Sequence, residues 1–176
     1  MHIRPARLDD RECVRQLYFA AFADDEREAV AGLAVDLLVE VTSPAAFALV
    51  AETDGGVVGH VAFSPVSRRE TGDLVGYILA PLAVHPEFQK QGIGTALIRS
   101  GIEELSARGA AIVFVYGDPQ YYGRLGFTAD AATPYVPPYE LQYEFGWQAR
   151  LLTTDAPSVP PVMLTCVPSL MDPQLW

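Results

Sequence analysis

Cysteine is scarce in this 176-residue sequence, with only Cys13 and Cys166. They stand far apart and in no metal-like spacing. That excludes a disulfide framework or a zinc cluster and leaves each to be read as a small buried hydrophobe. No metal site is expected. Basic residues are also few: Lys and Arg total 12 against 22 Asp and Glu, a net charge of −10. Such a chain lacks the clustered positive charge that a nucleic-acid groove or an anionic membrane surface requires, so no nucleic-acid and no membrane partner is expected. The acidity is compatible with a cationic or amine-bearing partner, although a solvated acidic surface is its plainer meaning. No apolar run is long enough to cross a bilayer. The opening MHIRPARLDD lacks the apolar core of a signal peptide, which points to a reducing cytoplasmic setting.

Half of the residues are hydrophobic, enough to bury one core in a single domain over 1–176. Residues 2–7 read as an edge strand, followed by a helix capped by Asp9 with Glu12 completing a capping box. Val14, Leu17, Tyr18, Ala21 and Phe22 recur at helical spacing. A second helix spans about 26–40, with Val30, Leu33, Leu37 and Val41 on one side, and Ser43-Pro44 ends it. Residues 46–53 and 57–64 form a hairpin about Asp54-Gly55-Gly56, and 65–72 is a polar loop. Residues 73–85 are one long strand, bent or bulged at Pro81, which cannot donate to a ladder. A helix over 92–108 stopped by Gly109, a strand over 111–116 and a short helix over 119–125 capped by Asp118 follow. Residues 141–145 and 162–167 are candidate closing strands. This order implies an α+β (mixed α/β) fold.

The chemistry concentrates in Gln89-Lys90-Gln91-Gly92-Ile93-Gly94-Thr95, between a strand and a helix. Gly92 and Gly94 allow a backbone to approach a ligand closely. A helix start offers unpaired N–H groups and the positive end of the dipole, a site for phosphate. The loop is neither a P-loop nor G-x-G-x-x-G, since Leu97 stands at the third glycine.

With its flanks, Leu82-Ala83-Val84-His85-Pro86-Glu87-Phe88-Gln89-Lys90-Gln91-Gly92-Ile93-Gly94 resembles the acyl-CoA-binding motif of the GNAT superfamily. Tyr121-Tyr122-Gly123-Arg124-Leu125-Gly126-Phe127 resembles that superfamily's F/Y-Y-x-x-x-G-F block. The resemblance implies the GNAT fold, a mostly antiparallel twisted sheet flanked by helices and splayed at the acyl-CoA cleft. It also implies transfer of an acetyl (acyl) group from acetyl-CoA to an amine by direct attack. The pyrophosphate would rest on the backbone of Gln91–Thr95, with Gln89 and Lys90 beside it. The pantetheine would pair with Leu82, Ala83 and Val84, and Ala83 N–H would polarise the thioester. Tyr122 would protonate the leaving thiolate, Tyr121 would pack, and a homodimer is implied.

Many GNAT enzymes carry a basic carboxylate on the long strand, but residues 76–82 contain no acid and no histidine. Glu52, His60, Asp73 or a water chain are the candidates left. Two other readings are open: a non-catalytic acyl-CoA-binding sensor or scaffold, and an unrelated phosphate-binding enzyme using the Gly92 loop.

Overall fold

The computed structural model describes residues 1–154 and 161–176. In chain order it contains β1 (His2–Pro5), α1 (Arg11–Ala21), α2 (Arg27–Leu37), β2 (Phe47–Thr53), β3 (Gly56–Arg68), β4 (Leu74–Val84) and α3 (Ile93–Ala107). Then follow β5 (Ile112–Tyr116), α4 (Pro119–Tyr122), α5 (Ala129–Ala132), β6 (Tyr135–Val136), β7 (Trp147–Leu151) and β8 (Val162–Thr165). Among the described residues eight strands form one sheet, with a main path β1-β2-β3-β4-β5-β7 and β8 joining β3 to β6. The pairs are antiparallel except β4 with β5 and β6 with β8. This is the α+β arrangement that the element order implied.

The long strands are apolar on both sides because both faces are covered. On one face Leu97, Ile98 and Leu105 of α3 pack against Leu49, Val61 and Phe63. On the other, Val14 and Tyr18 of α1 and Ala34 of α2 pack with Val50 and Ala83. Apolar residues at i, i+3 and i+4 give each helix the stripe that the sheet buries.

Several expectations need correction. Asp10, not Asp9, organises the first helix entry: it accepts Arg7 N–H at 2.7 Å and both terminal nitrogens of Arg4 at 2.8 Å. Arg4 also reaches Glu52 at 3.0 Å, so three charges tie β1 to β2 and to the start of α1. The second helix ends at Leu37, and Val41 lies almost fully exposed. The polar loop is shorter than 65–72, since β3 continues to Arg68. Residues 141–145 are not a strand. The other candidate, 162–167, is present as β8, and β7 takes the place of the first: there Gln148 and Arg150 alternate with Trp147 and Ala149 and donate to main-chain carbonyls of Gly117, Gly146 and Leu125. Cys13 is exposed rather than buried. The bend at Pro81 is present: register with β3 slips between Val61 and Phe63, opposite Leu82 and Leu79, and the Ala80-Pro81 bond is cis.

Candidate functional site

Strands β4 and β5 are paired only at Tyr77–Val113 and Ile78–Phe114. Beyond the Ala80-Pro81 bulge β4 keeps its bonds to β3 while its other edge leaves β5, and the sheet splays. In an antiparallel pair, alternate residues turn both N–H and C=O to the same neighbour. His85 N–H donates to Val58 at 2.9 Å and Ala83 is in register with His60, so residues 83 and 85 face β3. Leu82 and Val84 therefore present their backbones to the open seam. Consistently, Val84 C=O accepts from Gln89 Nε2 at 3.1 Å. Because the Ala83 backbone faces β3, the N–H groups that reach the seam belong to its neighbours, while its side chain is buried beneath α1.

At the end of this edge the chain turns through a short 3₁₀ segment, Pro86–Phe88, whose Glu87 N–H is accepted by His85 Nδ1 at 3.4 Å. Lys90 and Gly92 both have positive φ, 60° and 83°. These turns aim successive amides the same way. Among the described residues, the N–H groups of Lys90, Gln91, Gly92, Ile93, Gly94 and Thr95 have no hydrogen-bond acceptor, and no side chain caps α3. Unpaired donors at a helix N-terminus form a concave positive site for an anion. Together with Leu82, Val84, Phe88, Tyr121 and Arg124, this loop encloses a groove of about 580 Å³ that, among the described residues, no acidic side chain lines. Lys90, the one lysine of the sequence, is exposed on its rim.

Asp118 starts α4 by accepting Gln120 N–H at 2.8 Å, with Pro119 at the first helical position. The helix places two tyrosines at right angles, with centroids 5.0 Å apart and planes at 89°. The hydroxyl of Tyr121 rests on Gly94, where a Cβ would lie 2.5 Å from it, and lies near Thr95. Tyr121 packs against the core as expected and also forms a wall of the groove, and the Arg124 guanidinium sits 5.4 Å over its ring. The motif spacing located both tyrosines, but nothing in it separated their roles. Tyr122 packs its ring on Gly117 and edge-on to Phe127, 5.8 Å between centroids. Among the described residues its hydroxyl has no hydrogen-bond partner. Burial, with Tyr121 and Asp118 nearby, holds that hydroxyl well above the ordinary tyrosine pKa, so it is protonated at neutral pH.

Of the three candidate bases, Glu52 is tied to Arg4 at the β1 side of the sheet, and Asp73 precedes β4 at the opposite end from the seam, bonded to Thr71 at 2.7 Å. His60 is fully buried next to Ala83. Its Nδ1 pairs with Tyr18 hydroxyl at 2.9 Å, and among the described residues its Nε2 has no partner. Burial lowers its pKa to about 3, which keeps it neutral but makes it a weak base.

Residues 44–129, which include β4, the loop and α4, match the family model described as an acetyltransferase (GNAT) domain. The chain is 36% identical over 148 residues to the uncharacterized N-acetyltransferase YjhQ of Escherichia coli K12, covering 82% of this chain and 80% of the relative. It resembles the crystal structure of the GNAT-family N-acetyltransferase YhbS from Escherichia coli in complex with CoA, with a TM-score of 0.79 at 31% identity over 93% of this chain and 87% of that one. A GNAT-family acetyltransferase from Brucella melitensis in complex with acetyl-CoA gives a TM-score of 0.69 at 32% identity, over 96% of each chain. The splayed strand, the donor-lined loop and the paired tyrosines, together with these likenesses, identify the chain as a member of the GNAT superfamily of N-acetyltransferases.

Proposed function

We propose that the protein transfers the acetyl group of acetyl-CoA to an amine by direct attack, with Tyr122 as general acid. The observation that carries this reading is the free edge of β4 running into six unpartnered N–H groups, a strand-shaped slot ending in an anion cradle. The pyrophosphate occupies the amides from Lys90 to Thr95, where partial positive charge meets a dianion. The pantetheine amides pair with Leu82 and Val84 as an added strand. Leu82 N–H, next to the bulge, polarises the thioester carbonyl.

The amine enters as free base, its proton passing to solvent, since no carboxylate of β4 stands by to take it. Its lone pair forms the N–C bond, the C–S bond breaks, and the electron pair leaves on sulfur. Tyr122 supports that sulfur with its unpartnered hydroxyl and supplies the proton, and the proton that the acylated nitrogen sheds returns through solvent to restore the phenol. The two CoA-bound relatives support the cofactor assignment by likeness. A homodimer in the cytoplasm completes the reading.

Acetyl-CoA is expected to raise the melting temperature, because a ligand that binds only the native state stabilises it by RT ln(1 + [L]/Kd). Thiol release in an amine panel then measures transfer. No thermal shift at saturating acetyl-CoA or CoA would remove the cofactor assignment. A shift without thiol release from any amine would mark a binding module rather than an enzyme.

A further inference from the structure

Leu82 carries the N–H that the acetyl-transfer reading aims at the thioester, yet it stands on a thinly held stretch of strand. Main-chain pairing of β4 with β5 ends at Ile78. On the other side the register with β3 slips between Val61 and Phe63, and Val61 is the residue opposite Leu82. What holds Leu82 in place is its neighbour Ala83, which is in register with His60. That pair turns its main-chain groups toward each other, as Val58 and His85 do two residues on, where the bond is 2.9 Å.

His60 is in turn held from α1. Its Nδ1 and the Tyr18 hydroxyl are 2.9 Å apart, and both side chains are fully buried. Tyr18 otherwise belongs to an apolar cluster with Val14, Leu17, Ala34, Val50 and Ala83. Burial, with Tyr122 nearby, keeps the Tyr18 hydroxyl protonated, and burial keeps His60 neutral. A polar pair is destabilising in such a place. Among the described residues His60 Nε2 is left without a partner, and a buried polar atom without one weakens a fold. Two apolar side chains of the same shape would fill the space without that loss. What they would not give is a fixed separation, because apolar contacts slide, whereas a hydrogen bond has a length and a direction.

We propose that the Tyr18–His60 bond is a positioning device: it locks α1 onto β3 at the residue that holds Ala83, and so aims the Leu82 N–H at the thioester carbonyl. The inference rests on the acetyl-transfer reading and adds two positioning residues to it. Neither side chain touches the substrate. Their effect passes along the backbone: Tyr18 fixes His60, His60 fixes Ala83, and Ala83 fixes the orientation of Leu82. A donor stabilises the developing oxyanion only when it is aimed at the place where the charge forms. A misplacement of about 1 Å by a change remote from the chemistry can lower the rate by about 10²-fold.

The test uses the full-length protein with Tyr18→Phe, and with the double change Tyr18→Phe, His60→Leu, which exchanges the polar pair for an apolar one. The first readout needs no acceptor. The carbonyl stretch of acetyl-CoA labelled with carbon-13, read by isotope-edited infrared spectroscopy, should lie lower on the parent protein than in water, because polarisation weakens the double bond. In both variants it should move back toward the value in water. The second readout is steady-state thiol release with an amine that the parent uses. There kcat should fall roughly tenfold in both variants, with the KM for acetyl-CoA unchanged, since the pyrophosphate amides lie outside the locked stretch. The double variant should melt at or above the parent temperature, which separates positioning from fold stability. Variants whose carbonyl frequency and kcat match the parent overturn the proposal. So does a double variant that loses kcat and melting temperature together, for the pair would then only hold the fold. A parent frequency equal to that in water would remove the polarised carbonyl, and with it the reading on which the inference rests.

Discussion

At the scale of single residues, Tyr121 and Tyr122 stand side by side in the chain and do different things. Tyr122→Phe removes one hydroxyl that has no partner among the described residues and leaves the packing on Gly117 and Phe127 in place. Turnover should fall by roughly 10²–10⁴, the usual contribution of a positioned general acid, with acetyl-CoA affinity nearly unchanged. Tyr121→Phe should act instead on the KM for acetyl-CoA, a few-fold, because its hydroxyl belongs to the groove wall. Steady-state kinetics of the two variants separate these outcomes, and equal kcat values for Tyr122→Phe and the parent would remove the acid. His60 makes a different prediction. Its pKa is about 3 in the fold against 6.5 when free. The neutral form stabilises fully above about 6.5, and that stability drains as the pH falls toward 3, because the unfolded chain takes up a proton that the fold refuses. The unfolding free energy from denaturation curves should fall by roughly 1 kcal/mol for each pH unit between 6.5 and 4 from this one group. His60→Gln should remove that slope even if it lowers stability at pH 7, and an unaltered slope would show that the imidazole does not cause it.

At the scale of elements, the loop before α3 was readable because its work is done by backbone. Glycines at fixed spacing ahead of an amphipathic helix announce exposed N–H groups whatever the tertiary context. Gly94→Ala tests it. The added Cβ would displace the Tyr121 hydroxyl, pushing the ring into the groove, so the acetyl-CoA thermal shift should shrink or vanish while the melting temperature of the free protein falls only slightly. A variant that keeps the full shift would mean that the ligand does not use this wall. The α1–α2 pair, the hairpin, the bulged β4 and α3 were legible for the same reason: their periodicities are long enough to count. β7 was not, because the face opposite Trp147 and Ala149 carries Gln148 and Arg150, whose polar ends are satisfied by carbonyls far away in sequence. Local patterning cannot see such partners. The base candidates failed similarly, since only the fold shows that Glu52 belongs to Arg4 and that Asp73 lies at the wrong end of its strand.

At the scale of the whole molecule, composition reported a net charge of −10 but not where it falls. Among the described residues, the fold gathers Lys90, Arg124 and bare amides along one groove and leaves Asp25, Glu26 and Asp118, with no basic side chain, around a cavity on the other side of α4. That cavity could not be read from the sequence, because its lining comes from segments near 25, 117, 143 and 175. The seam between β4 and β5 has a mechanical consequence. Only two residue pairs join the strands, so the main-chain bonding of the sheet is nearly interrupted between β1–β4 on one side and β5 and β7 on the other. Such a seam is a hinge, and a ligand laid along it as a strand is a splint. In the free protein, amide hydrogen exchange should be faster in β5 and β7 than in β2 and β3, each half opening on its own account. Saturating acetyl-CoA should slow the faster half and bring the two toward one common rate. Exchange that is already uniform without ligand would mean that the packing of α3 across both halves, rather than the cofactor, makes the molecule a single cooperative unit.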